Sequence, residues 1–207
     1  MSVVAANILS PFAGKRSVAE ERLKKLGSVF ERHGAKVKTT NFVAGQYAGC
    51  IGLLRSYPDF KTATAALVKV ANDTEGQEVR NLRETDPAGE MVVSREVRRT
   101  IFGEPKWANN PVSFLRKYAI SRADVSKAMP ILEGIQKIMD KEEVNMRATI
   151  PIFSSEMSGI TVAYQLKSLD HLGEVLDTTS ADSEMQSLIE KANSFSSLET
   201  ASVMVAF

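Results

Sequence analysis

The sequence predicts an α+β fold in which one βαββαβ unit occurs twice. Apolar patterns in the first half follow the order strand, helix, strand, strand, helix, strand, and the second half repeats that order. Residues 46–49 resemble residues 156–159 at an offset of 110, and residues 73–75 resemble residues 182–184 at an offset of 109. Similar segments at a fixed spacing, in the same order on the same elements, indicate an internal duplication.

The first unit is predicted to span residues 1–103. Ser17 begins a capping box for the first helix, residues 56–59 offer a cap for the second, and Gly45 marks a tight turn. Strands are predicted at residues 3–9, 35–43, 47–55 and 91–102, and helical segments at residues 17–33, 60–70 and 73–82.

A Pro- and Asn-containing linker at residues 104–111 leads into the second unit, predicted at residues 112–207. Ser168 is a candidate cap, and Pro130 predicts a kink or restart in the first helix of this unit because proline lacks an N–H. Strands are predicted at residues 112–120, 144–153, 160–166 and 197–206, and helices at residues 121–139, 168–176 and 182–193.

Charge and apolar patterning exclude several classes of protein. Lys and Arg number 26 against 25 Asp and Glu, a net charge of +1 that does not favour nucleic acid or a membrane surface as partner. No apolar run approaches the roughly 20 residues that a transmembrane helix needs, and the N-terminus lacks a basic leader. The single cysteine, Cys50, excludes an internal disulfide and is typical of a small buried residue. We therefore expect a cytoplasmic protein.

The chain lacks a phosphate loop, a dinucleotide fingerprint, metal-spaced cysteines and a nucleophile elbow, so it predicts no cofactor. Two histidines exclude a three-histidine metal site within one chain, although mixed carboxylate sites stay open. His33 fits a helix C-terminus, where the dipole favours a cation. His171 lies in the first turn of a helix, where a capping-region role is favoured over haem ligation or general base catalysis.

These patterns resemble the dimeric α/β-barrel superfamily of ferredoxin-like domains. The resemblance lies in the strand–turn–strand of residues 42–49 and in the split second helix, where Ser56 or Ser168 precedes an apolar stretch and an acidic break. The superfamily includes antibiotic-biosynthesis monooxygenases that need no cofactor, NIPSNAP-like proteins, haem enzymes and many uncharacterised members. It implies two ferredoxin-like units with antiparallel sheets packed as one intramolecular α/β barrel, with a ligand cavity inside the barrel or under the helices.

Alternation along two strands of the second unit predicts a polar barrel interior. Met146, Ala148 and Ile150 point towards the helices, which leaves the opposite face to line the barrel. Buried polar groups need partners, so this face either hydrogen-bonds to itself or forms a wet cavity. The candidate ligand-binding residues are Arg147, Thr161, Gln165 and Asn145, with Tyr118 as a hydroxyl donor.

Further cations on strands are candidates for binding a carboxylate inside the barrel. They are Arg95, Arg99 and Arg116, with salt bridging or solvent exposure as the alternative. Trp107, the only tryptophan, is expected to plug the junction between the units rather than to stack on a ligand.

Two functions stay open. The first is a small-molecule-binding barrel for an apolar or carboxylate-bearing ligand, including a cofactor-independent oxygenase- or isomerase-like enzyme. The second is a non-enzymatic assembly protein whose barrel is filled by its own side chains. A homo-oligomer is compatible with both, and a ligand cavity of several hundred Å³ distinguishes the first from the second.

Overall fold

The first unit follows the predicted order, with its second helix split in two. The computed structural model describes residues 1–207, apart from the side chain of Arg95, so the role predicted for that arginine lies outside the described residues. The elements are β1 (Val3–Pro11), α1 (Arg16–Arg32), β2 (Lys36–Gly45), β3 (Ile51–Tyr57), α2 (Phe60–Asn72), α3 (Thr74–Thr85) and β4 (Gly89–Phe102).

The second unit repeats that order after the linker. Its elements are β5 (Val112–Ile120), a 3-10 turn (Arg122–Asp124), α4 (Val125–Lys141), β6 (Asn145–Phe153), β7 (Ile160–Leu166), α5 (Leu169–Ser180), α6 (Ser183–Asn193) and β8 (Ser196–Ala206). The repeated order agrees with a duplication, and the domain division at residues 103 and 112 stays a prediction.

All eight strands form one closed antiparallel ring in the order β1-β3-β2-β8-β5-β7-β6-β4. Within each unit the last strand pairs with the first, and the first pairs with the third. Two ladders between the units, β2 with β8 and β4 with β6, close the ring. The prediction of an α+β fold with two ferredoxin-like units in one intramolecular barrel is confirmed.

Strand alternation divides the core into three clusters. One face of each unit's strands packs under its own helices, with Ile51 and Leu53 central in the first unit and Met146 and Leu166 in the second. The opposite face points into the ring, where Ile8, Phe42, Leu54 and Met204 pack together. The two faces of one sheet therefore present separate environments, one beneath the helices and one inside the barrel.

Short side-chain caps start four of the helices. Asp59, Asp73, Ser168 and Asp182 each accept a hydrogen bond from a backbone N–H in the first turn of α2, α3, α5 and α6. The cap predicted at Ser168 is confirmed. The capping box predicted at Ser17 is wrong, because α1 starts at Arg16 without a side-chain cap.

The irregularity predicted around Pro130 lies earlier in the chain. The 3-10 turn at Arg122–Asp124 precedes α4, which then continues from Val125 through Pro130 without a restart. Pro130 occupies the sixth helical position, where only one backbone bond, to the carbonyl of Ser126, is lost. None of the helices in the described chain is long and apolar enough to cross a bilayer.

Candidate ligand site

Two cavities lie between the sheet of the second unit and its helices. The α4 cavity, of about 60 Å³, is lined mostly by apolar residues of α4, β5, β7 and α6, together with Tyr118, Tyr164, Asn193 and Ser196. The α5 cavity, of about 100 Å³, lies further along the same sheet and is lined by Phe114, Arg116, Tyr164, Leu172, Val175 and Leu176, among others. Tyr164 and Ile189 border both cavities.

The α5 cavity combines apolar walls with one cation. The guanidinium carbon of Arg116 lies 5.0 Å from the centre of the Phe114 ring, and that ring lies 5.9 Å from the ring of Tyr164. Arg116 Nε is buried, and no atom of the described residues accepts a hydrogen bond from it. Burial raises the pKa of Tyr164 far above its usual range, so its phenol stays protonated.

A second polar region lies inside the barrel at the end where β6 begins. Gln165 is fully buried, and its Oε1 accepts hydrogen bonds from Asn145 Nδ2 at 2.7 Å and from the backbone N–H of Lys106 at 2.8 Å. Arg147 is 6% exposed, and its guanidinium carbon lies 5.7 Å from the centre of the Trp107 ring. We call Arg147, Gln165, Trp107 and Lys38 the Arg147 cluster.

Two cations share this end of the barrel. Burial, reinforced by the charge of Arg147, lowers the pKa of Lys38 to about 8, and its Nζ donates to Ser113 Oγ at 3.1 Å. Burial also lowers the pKa of Arg147 to about 10, an effect that Glu104 opposes. The cluster therefore carries positive charge in a desolvated setting.

Elsewhere in the barrel the interior cations are paired. Arg98 donates to Glu96 at 2.6 Å and to Thr149 Oγ1 at 3.0 Å. Lys117 forms ion pairs with Glu156 and Glu199. The Arg147 cluster is set apart from these groups because its guanidinium has no comparable acidic partner among the described residues.

Four of the five predicted ligand-binding residues share the barrel face. Arg147 and Gln165 meet near one end with Asn145, and Thr161 lies further along, where its carbonyl accepts a hydrogen bond from Thr149. Tyr118 lies on the opposite face and lines the α4 cavity, because alternation along β5 places it with Ile120 under the helices. The structure therefore separates Tyr118 from the other four, and their role in binding stays a prediction.

Arg99 and Arg116, two of the three strand arginines that were candidates for the barrel interior, lie on its outer face. Arg99 packs over the Phe60 ring and Arg116 over the Phe114 ring. The interior cations that sequence reasoning missed are Lys38, Arg98 and Lys117. The alternation of residues from Lys38 to Phe42 could have shown that Lys38 faces the barrel interior. The facing of Arg98 could not be inferred from the sequence, because β4 contains register shifts.

No family model matches the chain, and no curated protein sequence matches it either. The solved structures show similarity over nearly the whole chain. A candidate monooxygenase from Lactobacillus acidophilus NCFM is 10% identical with a TM-score of 0.66, over 99% of this chain and 96% of that one. A candidate monooxygenase from Fusobacterium nucleatum subsp. nucleatum is 7% identical with a TM-score of 0.67, over 100% and 93%. A heme-binding protein from Thermus thermophilus is 11% identical with a TM-score of 0.55, over 100% and 90%.

The chain has the dimeric α/β-barrel fold. The match extends over both units and supports the resemblance inferred from the sequence. Identities near 10% establish the fold alone, and this fold supports unrelated chemistries.

The histidines of this α/β barrel are occupied away from both cavities. His33 follows α1, as predicted, and its Nε2 lies 3.1 Å from Asp73 Oδ2. His171 accepts from the Lys167 N–H at Nδ1, and its Nε2 lies 2.8 Å from the Glu142 carbonyl oxygen. No histidine or cysteine lines either cavity. Among the described residues, no group of three or more His, Cys, Asp or Glu could hold a metal ion.

Proposed function

We propose that the protein binds a small apolar molecule bearing a carboxylate or carbonyl group in the α5 cavity. The observation that carries this proposal is the buried Arg116 Nε, which no described residue satisfies, at the edge of a mostly apolar cavity. A buried donor without an acceptor costs about 1–3 kcal/mol, which an oxygen of the ligand would offset. The ring of Phe114, which also lines the cavity, packs against the guanidinium.

The cavity volume sets the size of the ligand. A cavity of roughly 150 Å³ lined by apolar residues binds benzene, and the α5 cavity measures about 100 Å³. The cavity is smaller than this benchmark, so a short branched chain is the apolar part expected to fit it unchanged. A single ring requires a small outward shift of α5.

A cofactor-independent oxygenase- or isomerase-like activity is the enzymatic form of this proposal. Two of the similar structures are candidate monooxygenases, and a third, 10% identical with a TM-score of 0.64, is an anthrone oxidase-like protein. Apolar walls exclude water, and the neutral phenol of Tyr164 supplies a hydrogen-bond donor beside the bound carbonyl.

Calorimetric titration with sodium benzoate tests the binding proposal. Benzoate is expected to bind the native protein and an Arg99→Met control, and to bind Arg116→Met at least about tenfold more weakly, because a charge-assisted hydrogen bond is lost. Leu176→Phe narrows the same cavity and should weaken binding as well. Binding that is unchanged in both cavity variants would refute the site.

A non-enzymatic assembly protein is the second candidate, and the filling of the barrel favours it. Ile8, Phe42, Leu54 and Met204 occupy the interior, and both cavities are smaller than the several hundred Å³ of ordinary ligand sites. Mass spectrometry of small molecules that co-purify with the protein distinguishes the candidates. A reproducible stoichiometric compound favours the ligand-binding function, whereas its absence, together with a stable homo-oligomer, favours assembly.

The cavities do not fit haem. They measure about 60 and 100 Å³, well below the several hundred Å³ of ordinary cofactor sites, and neither is lined by a histidine or cysteine. Both nitrogens of His171 are engaged by backbone groups outside the cavities. A cytoplasmic setting stays a prediction from the sequence.

A further inference from the structure

The linker between the units covers the end of the barrel that holds the Arg147 cluster. Three hydrogen bonds attach it there: Lys106 N–H to Gln165 Oε1, Asn145 Nδ2 to the Glu104 carbonyl at 3.0 Å, and Lys38 Nζ to the Asn110 carbonyl at 2.9 Å. Trp107, in the middle of the linker, packs against the apolar side chains inside the barrel, and its ring lies next to the guanidinium of Arg147. The linker is thus a structural part of this site.

Beneath the linker, several donors lack acceptors. Arg147 Nε, Arg147 Nη1, Gln165 Nε2 and Trp107 Nε1 are all buried, and no atom of the described residues accepts a hydrogen bond from them. Gln165 and Arg147 lie on the same inner face of neighbouring strands, since Asn145 pairs with Gln165 and Arg147 with Ala163. Both are more than nine-tenths buried.

The charges around these donors do not satisfy them. Lys38 adds a second cation, and Arg98 lies close enough to disfavour the charge of Arg147 further. Glu96 already accepts from Arg98, and Glu104, the acid that interacts with Arg147, is solvent-exposed. Buried charge without a partner is strongly unfavourable, and buried polar groups in native proteins are almost always hydrogen-bonded.

We propose that the Arg147 cluster is a second ligand site, which binds a small oxyanion, a carboxylate or a phosphate, beneath the linker. A guanidinium donates to carboxylate and phosphate oxygens, and Nε and Nη1 of Arg147 each have a donor without a partner for such an oxygen. Gln165 and Trp107 supply neutral N–H donors, and Lys38 supplies further positive charge. This site lies inside the barrel, on the other side of the sheet from the α5 cavity, and its existence does not depend on the proposed function.

Trp107 provides a site-specific readout because it is the only tryptophan in the chain. Its fluorescence is followed while sodium phosphate, or separately sodium acetate, is added at constant ionic strength in sodium chloride. A saturable change in the native protein is expected. Saturation by phosphate alone assigns a phosphate group, and saturation by acetate assigns a carboxylate.

Three variants decide the origin of the signal. Arg147→Met and Gln165→Glu are expected to weaken anion binding at least about tenfold. Gln165→Glu retains the acceptors for Asn145 and Lys106 and places its own carboxylate beside Arg147, so it is expected to fold even if Arg147→Met does not. Arg99→Met, on the outer face of β4, is expected to bind like the native protein.

The proposal fails on either of two results. One is a native protein whose Trp107 fluorescence shows no saturable response to phosphate or acetate. The other is a response that persists unchanged in folded Gln165→Glu, with folding checked by circular dichroism. Benzoate is itself a carboxylate, so only the component of its binding that Arg116→Met removes is assigned to the α5 cavity. That component is expected to stay unchanged in the Arg147 and Gln165 variants, which separates the failure of one site from the failure of the other.

Discussion

Replacing Gly45 with alanine should weaken the ladder that joins the two units. Gly45 ends β2, pairs with Ser202 of β8 and has a φ of +91°. A Cβ on this residue would lie 2.0 Å from the Ala201 carbonyl oxygen, which is backbone and cannot rotate away. Gly34, which follows α1, has the same φ, but a Cβ there would meet nothing within 4 Å.

The two glycines allow the cost of the contact to be separated from the cost of the backbone conformation. A non-glycine residue at positive φ costs about 1–2 kcal/mol, and both substitutions incur that cost. Gly45→Ala must also push β8 away from β2, which breaks one or two ladder hydrogen bonds worth roughly 0.5–1.5 kcal/mol each. We expect Gly45→Ala to be less stable than Gly34→Ala by about 0.5–3 kcal/mol.

Urea unfolding followed by circular dichroism measures both free energies of unfolding. A lower midpoint for Gly45→Ala than for Gly34→Ala, at a similar m-value, supports the reasoning. Equal destabilisation of the two variants, within about 0.5 kcal/mol, would show that the closure between β2 and β8 does not constrain this position.

Three further predictions concern single residues. The hydrogen bond from the Gly76 N–H, with His33 and Arg32, lowers the pKa of Asp73 from 3.8 to about 2. The native protein should therefore be more stable than Asp73→Asn above pH 4, and this difference should disappear as the pH falls towards 2. A difference in stability that stays constant during an acid titration would contradict the prediction. Burial lowers the pKa of Lys38 from 10.5 to about 8, so between these pH values only the unfolded chain holds the proton. The free energy of unfolding of the native protein, relative to that of Lys38→Met, should therefore rise between pH 8 and 10.5. Urea midpoints with no such trend would exclude a desolvated Lys38. Pro130→Ala restores the backbone hydrogen bond to Ser126, so it should increase the free energy of unfolding by about 1–3 kcal/mol and raise the melting temperature. A lower melting temperature would mean that Pro130 stabilises α4.

The pattern of the sequence determined the fold class because it reports on one-dimensional periodicity. Alternation in β6 and β7 placed Arg147 and Gln165 on the face opposite Met146, and the structure agrees. Capping residues such as Ser168 are local as well, since a cap bonds a backbone group only three residues away.

Errors arose where neighbours distant in the chain decide the outcome. Tyr118 was grouped with Arg147, yet it lies under the helices, because the facing of β5 depends on its pairing with β7 and β8. Register shifts in β4 turn the side chain of Arg98 into the barrel, whereas the sequence had suggested Arg99 as a candidate for that position. A strand pattern cannot show a bulge, since the extra residue exists only relative to the partner strand.

The sequence by itself determined the order of two βαββαβ units and the polar and apolar faces of β6 and β7. Only the tertiary structure decided that the ring closes through β2 with β8 and β4 with β6, and that the linker lies over Arg147. It also brought Lys38 of the first unit to Ser113 of the second, 75 residues away. Periodicity is a property of adjacent residues, whereas a site with unsatisfied donors arises from packing between segments that the chain keeps far apart.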